Sequence, residues 1–372
     1  MKRTVMRSLV PVLVLILAAG VLLLQQCGKT ESVYFRTAAF GRLTELIPDD
    51  PFTVYRWDGG ETYAPVFIAA EGEDIWAEAS AIAGETLYCT VHREDNGSVI
   101  YRVNLQTGEK IRLAELDSYV WYLEACGEDL FLRVYDAAQR RMRLGVLREG
   151  EFIDCARAAN VYTPISCDAG GCWYVDYDGE SRCSCLCYLP ADTLVPEKVY
   201  ENIPHPLELQ AAQEGVYLSC QFGEDYDAGT FSLFFCSRDG SGAVKLLTEL
   251  LPNGREVSEE KREDLMPNFA LWGERLFYVT YIGWSKRDGE DLGYYLHCLD
   301  RKTGRVTDYG KFRGDTGVGT VSFQYLLTCG KRGFLLNESN WWATDRETAN
   351  RYSFYTWNGR RTELGLREEQ KP

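Results

Sequence analysis

Residues 127–135 read GEDLFLRVY, a glycine and two acidic residues followed by a run of aromatic, branched and long side chains. A glycine that permits a tight turn, set just before residues that suit a pleated, half-buried surface, marks the start of a β-strand. The same start recurs as GETLYCTVH at 84, GVYLSCQF at 215 and GERLFYVTY at 273, and more loosely as GGCWYVDY at 170 and GKRGFLLN at 330. These six copies are an internal repeat with a period of roughly 40–50 residues, and the repeat decides the architecture.

Each copy continues through a polar tip into a second alternating run: YRVNLQTG at 101, LGVLREG at 144, CLCYLPADT at 185, FFCSRDGSG at 234, LHCLDRKTG at 296 and FYTWNGR at 354. Most of these close on a glycine-containing turn, as hairpins do. A third short run follows, such as KIRLAEL, and a fourth lies upstream of each turn glycine, such as YVWYLEAC. Four antiparallel strands repeated along a chain form the blades of a β-propeller. In strand rhythm and in the YRVNLQTG type of turn, residues from about 32 to 366 resemble WD-repeat and related bacterial extracytoplasmic propellers. The regular Gly-His and Trp-Asp signatures are absent, so the resemblance implies a fold and not a function.

Six units are complete, at 75–117, 119–157, 162–200, 207–250, 268–312 and 323–366. Because YRWDG at 55 matches YTWNG at 355, the spacing predicts that residues 32–70 form a seventh blade, with six blades and an N-terminal extension as the alternative. Residues 251–268, LPNGREVSEEKREDLMPN, break the rhythm and read as an exposed insertion.

The first thirty residues are of another kind. Lys2, Arg3 and Arg7 precede an apolar run from Leu9 to Leu24, the pattern of an N-terminal apolar helix that serves as an export signal or membrane anchor. The uncharged stretch from Ser8 to Gly28 reaches the ~20 residues that a spanning helix needs. Cys27, with Leu24 three residues before it, resembles the lipidated cysteine of a bacterial lipoprotein signal, although Gln26 stands where that signal has a small residue. Retention, lipidation and full secretion all place the main domain outside the cytoplasm. The expected organisation is an anchor at 1–30, a propeller at 31–366 and a tail at 367–372.

The whole chain carries a formal charge of −15 and its first thirty residues +4, which leaves −19 for the remainder. So acidic a surface repels a phosphate backbone, which excludes nucleic acid as a partner and suits a basic partner or a cation.

Thirteen cysteines in an exported chain suggest disulfides. The repeat offers a plainer account, because Cys187, Cys236 and Cys298 fall at the third-strand position that Val103 and Val146 hold in other units. Cysteine serves there as a small apolar side chain. The paired C-x2-C ligands of a zinc site are absent. If Asp178-Gly179 is a two-residue turn, Cys172 faces Cys185 across a hairpin and a disulfide can join them.

Histidines are few, namely His92, His205 and His297, and they read as solvated or edge-strand residues and not as a metal or catalytic centre. No catalytic residue is assigned, and neither is a metal ligand or cofactor. Tips between second and third strands carry Asp95, Asp176, Asp178, Asp225, Asp227, Asp288 and Asp291. Turns prefer Asp, so this acidity has a local cause; on one face of a propeller it would also form a rim for a basic partner or calcium. Trp341 and Trp342 fall at the corresponding tip of the last unit and suit either packing or contact with a carbohydrate or protein.

The expectation is a membrane-attached extracytoplasmic propeller that binds or scaffolds a protein or glycan. The alternatives are a propeller glycosidase or lyase that uses channel carboxylates, and an extracytoplasmic sensor domain. Two carboxylates from different blades converging in the central mouth would point to the enzyme. A mouth lined by apolar and neutral groups would point to binding.

Overall fold

The computed structural model describes residues 32–36, 51–137, 140–157, 164–178, 183–222, 230–239, 245–246, 255–259, 261–283, 293–311, 321–328, 332–340 and 350–366. The N-terminal apolar segment and Cys27 lie outside them. Among the described residues there are twenty-eight strands and no α-helix.

Three strands come first: β1 (Val33–Arg36), β2 (Thr53–Trp57) and β3 (Thr62–Ile68). The first blade is β4 (Asp74–Ala83), β5 (Thr86–His92), β6 (Ser98–Asn104) and β7 (Lys110–Leu116). The second is β8 (Tyr119–Cys126), β9 (Asp129–Asp136), β10 (Arg141–Arg148) and β11 (Glu151–Arg157). The third is β12 (Ser166–Asp168), β13 (Gly171–Asp178), β14 (Cys183–Pro190) and β15 (Glu197–Ile203). The fourth is β16 (Pro206–Ala212), β17 (Gly215–Phe222), β18 (Thr230–Ser237) and β19 (Lys245–Leu246). The fifth has five strands, β20 (Arg255–Ser258), β21 (Lys261–Trp272), β22 (Arg275–Gly283), β23 (Gly293–Asp300) and β24 (Val306–Lys311). The sixth is β25 (Val321–Thr328), β26 (Gly333–Asn340), β27 (Asn350–Thr356) and β28 (Arg361–Leu366).

Within each blade the strands lie in chain order, each antiparallel to the next. The strands β4, β8, β12, β16, β21 and β25 pack against one another in succession, so they are the inner strands around the axis. The fold is therefore a propeller of six blades, not seven. The N-terminal strands fail to make a seventh because the chain turns at Ala70–Glu73, where the Glu73 amide donates to the Ala70 carbonyl at 3.0 Å, and runs straight into the first blade. Among the described residues no fourth strand is made there. Instead β3 pairs in parallel with β28, Thr62 with Gly365 and Tyr63 with Leu366, which extends the last blade into a seven-stranded sheet.

This N-terminal wedge sits between the last and first blades, and its alternation explains how. Phe35, Tyr55, Trp57 and Tyr63 pack on Leu335, Tyr352 and Leu364 of the sixth blade. Phe52 and Val54 face the other way, onto Ile75, Leu87, Cys89 and Val103 of the first. The same two-sided logic joins the other blades: on β13, Cys172 and Tyr174 pack toward the second blade, Trp173 and Val175 toward the fourth. Each fully buried side chain of this size contributes about 1.5–3 kcal/mol. Propeller stability thus resides between blades.

The third-strand cysteines are where the repeat puts them. Cys187, Cys236 and Cys298 are buried, as are Val103 and Val146, and they stand opposite Tyr174, Val216, Phe277, Leu87 and Phe131. Burial pushes the Cys89 and Cys236 thiols up to about 12 and those of Cys187 and Cys298 to about 11. Such thiols are poor nucleophiles.

The exposed insertion expected at 251–268 is an exposed extra strand and the lengthened start of the next one. Residues 255–258 form β20, and 261–268 lengthen β21, which pairs with both β20 and β22.

Candidate ligand site at the mouth of the channel

Five of the six inner strands slip in register against the second strand of their own blade. The slip lies between Ile75 and Ser80 in β4, Val120 and Tyr122 in β8, Pro206 and Glu208 in β16, Leu265 and Phe269 in β21, and Phe323 and Tyr325 in β25. A bulge bends its strand and re-aims the next side chain. In β8 and β16 that side chain is polar: Tyr122 and Glu208 follow the slip, and each stands four residues before the end of its strand.

Tyr122 and Glu208 come from the second and fourth blades, yet the Glu208 charge is felt at the Tyr122 phenol. Burial pushes the Tyr122 phenol up to about 12; Arg133 opposes the rise, and the carboxylates of Glu78, on β4, and Glu208 reinforce it. Arg133 is fully buried, pairs with Tyr122 in register, and holds its guanidinium 5.1 Å from the Tyr122 ring centroid. Burial brings the Arg133 guanidinium down to about 10 and the Glu208 carboxyl up to about 7. Two carboxyl groups and a guanidinium from three blades are thus felt electrostatically at the Tyr122 phenol. A carboxyl that titrates near neutrality can take or give a proton at physiological pH.

Polar side chains pin these inner strands across blade boundaries. His92 Nε2 lies 2.8 Å from the Val120 carbonyl oxygen, and the Val120 amide donates to Ser98 Oγ at 3.1 Å. Ser166 Oγ accepts from the Ala211 amide at 3.0 Å. Gln210 donates to the Phe269 carbonyl and accepts from the Leu271 amide, both at 2.8 Å. Each bond meets a backbone group that the inner-strand edge would otherwise leave open.

Aromatic rings gather at the start of β4 and β8. Trp76 meets Tyr119 at 5.3 Å and Trp121 at 5.8 Å between ring centroids, and His92 stacks on Tyr119 at 3.9 Å. The Trp76 indole donates to Asp74 at 3.0 Å. Asp74 pairs with His92 at the end of β5, so this group lies on the face that carries the β5–β6 tip. Trp121 is the residue displaced by the β8 slip.

Of the residues expected from sequence to form an acidic rim, Asp225, Asp227, Asp288 and Asp291 lie outside the described residues, as do Trp341 and Trp342. Asp178 ends β13, and Asp176 sits inside that strand opposite Cys185. Asp95 stands at a tip, where Arg93 donates to it at 2.6 and 2.9 Å and holds its carboxyl below the usual range. A charge so paired offers little to a partner. Among the described residues no three His, Cys, Asp or Glu side chains stand together as a metal site.

The expected facing of Cys172 and Cys185 does not occur. Asp178 pairs with Cys183, so the β13–β14 connection is longer than two residues, and Cys172 falls opposite Leu189 while Cys185 faces Asp176. Four residues of strand separate the two cysteines, roughly 13 Å, beyond the reach of a disulfide. Both are free thiols.

Two histidines expected at the surface are buried instead. Around His297, the Thr280 hydroxyl donates to Glu263 at 3.0 Å and lies 2.8 Å from His297 Nε2, with Asp308 3.8 Å from Nδ1. The order is that of a nucleophile triad, but Thr280 is fully buried and a substrate cannot reach it. This network stabilises the fifth blade.

No protein-family model matches the sequence, and neither does any curated protein. Solved structures do match the fold. An oligogalacturonate lyase from Vibrio parahaemolyticus superimposes with a TM-score of 0.52 at 10% identity, covering 91% of this chain and 86% of that one. An uncharacterised protein from Listeria monocytogenes gives 0.51 at 10%, covering 81% and 88%, and a putative 6-phosphogluconolactonase from Bacteroides uniformis gives 0.51 at 12%, covering 89% and 94%. At such identities the likeness is one of fold.

Proposed function

We propose that the protein is a membrane-attached extracytoplasmic binding module whose ligand, a carbohydrate chain or a protein segment, docks at the mouth of the central channel. What carries this proposal is the aromatic group of Trp76, Tyr119 and Trp121, half-buried at the channel end of two neighbouring blades beside the exposed carboxylate of Asp74. Flat rings give a ligand large contact area at little entropic cost, and adjacent carboxylates fix hydroxyl or ammonium groups. Attachment to the membrane is supported by the basic flank and apolar run at residues 2–24. Screening the full-length protein against immobilised glycans and peptides, followed by titration calorimetry, tests the proposal. Trp121→Ala should weaken the ligand at least tenfold with the fold intact by circular dichroism; unchanged affinity would show that binding lies elsewhere.

A second reading has an observation of its own. Glu208 and Glu78 come from different blades, the charge of each raises the Tyr122 phenol, and Glu208 titrates near neutrality. That pair suits a glycosidase or lyase in which Glu208 moves the proton. Release of new reducing ends or unsaturated products from a polysaccharide, abolished by Glu208→Gln, would establish turnover. Binding without product would leave the channel a recognition site.

A further inference from the structure

The hairpin that opens the third blade places Cys167 directly opposite Cys172, across the turn Asp168–Gly171. Residues facing each other in an antiparallel pair have Cα atoms roughly 4.5–5.5 Å apart, inside the roughly 4.4–6.8 Å that a disulfide spans. Both thiols are free, and they lie in hydrogen-bonding contact. We propose that Cys167 and Cys172 are a disulfide-forming pair that covalently closes the β12–β13 hairpin.

The place explains the need. β12 has three residues, against ten in β4, eight in β8, seven in β16 and twelve in β21, so its ladder holds it with the fewest backbone bonds of these inner strands. Yet it ends on Asp168, a hub of the blade. The Asp168 carboxylate accepts from the Gly170 amide at 2.7 Å, the Trp173 indole at 3.1 Å and the Tyr188 hydroxyl at 2.8 Å, and its carbonyl accepts from the Cys126 thiol at 2.9 Å. A bond one residue before Asp168 fixes the strand that carries it.

The oxidant is a small-molecule disulfide such as oxidised glutathione. The thiolate of Cys167 attacks one of its sulfurs, forms a mixed disulfide and releases the first thiol. The thiolate of Cys172 then attacks the Cys167 sulfur and releases the second, so two protein thiols are oxidised while one disulfide becomes two thiols. Cys172 is buried in the folded blade, so the exchange belongs to folding, before the third blade closes. In the cell the bond requires an oxidising compartment and so rests on the export proposed above. Its formation in vitro does not, which keeps the two outcomes separable.

The full-length chain is reduced, denatured and refolded with a mixture of reduced and oxidised glutathione, remaining thiols are alkylated, and the protein is cut with trypsin without reduction. Cleavage after Arg157 and Arg182 yields one fragment, 158–182, that contains both cysteines. That fragment should appear without alkyl groups and two hydrogens lighter, and should accept two alkyl groups only after reduction. Two alkyl groups on it before reduction overturn the proposal. So does a cross-link from it to fragment 183–198, which holds Cys185, or to fragment 113–133, which holds Cys126. Cys126→Ser should leave the bond in place.

Discussion

Glu208 keeps its proton to about pH 7, where an exposed glutamate has lost it. A carboxyl whose folded pKa is raised binds more protons in the native state than in the unfolded one, so stability falls as pH climbs from the ordinary value near 4.5 to about 7 and stays reduced above it. Glu208→Gln removes the ionisable group and retains the shape. Its unfolding free energy from denaturant titration should match the wild type near pH 4.5 and exceed it at pH 8 by about 1–2 kcal/mol, discounted because the residue is only half-buried. Parallel curves at both pH values would show that the carboxyl is not confined. The sequence around it, PLELQAA, reads as an ordinary strand. Nothing local marks Glu208, because its confinement comes from burial just past the slip after Pro206. Trp121 was in plain view within YVWYLEAC, but its partner Trp76 lies in another repeat.

At the scale of strands, the turn glycines that reveal the repeat prove to be of two kinds. Gly84, Gly127 and Gly273 sit in turns with φ of 59°, 62° and 53° and open space where a Cβ would stand. Gly215 and Gly333 begin their strands at φ 157°, and a Cβ there would run into the carbonyl oxygens of Cys236 and Tyr355 on the neighbouring strand. Gly127→Ala should therefore cost about 1 kcal/mol, the left-handed penalty alone. Gly215→Ala should cost about 2 kcal/mol or more, because backbone has to move. Urea unfolding of both variants checks the order, and equal losses would refute the distinction. This regularity is why most blade boundaries could be read to within a few residues, as Tyr119–Arg157 against an expected 119–157 shows, while the fifth blade begins at Arg255 and not at 268. The Cys172–Cys185 facing failed for the complementary reason: register depends on connection length, and Asp178-Gly179 resembles a tight turn that the chain does not make.

For the whole molecule, ring closure rests on the wedge. YRWDG at 55 does match YTWNG at 355, since β2 precedes a last strand as β27 does, and that likeness suggested a full blade. What it could not convey is that β3 finds its neighbour in β28, some 300 residues on. Trp57 on β2 is fully buried where the wedge packs on the sixth blade, 4.8 Å from Phe354 by ring centroids, with its indole donating to the Gly60 carbonyl at 2.8 Å. Trp57→Ala should cost about 3–5 kcal/mol. Amide exchange should rise across β1–β3 and β28 and leave the third and fourth blades protected; uniform deprotection would instead mean that the ring opens as one unit.

The wedge also sets a timetable. Its Val54 face meets the first blade as soon as that blade is made, but its Phe35 face waits for Leu335 and Tyr352. At ~5–20 residues per second, the roughly 300 residues between Phe35 and Leu335 take about 15–60 s to synthesise. Through that interval four large aromatic side chains have no native cover, so the beginning of the chain cannot complete its packing until the end is made.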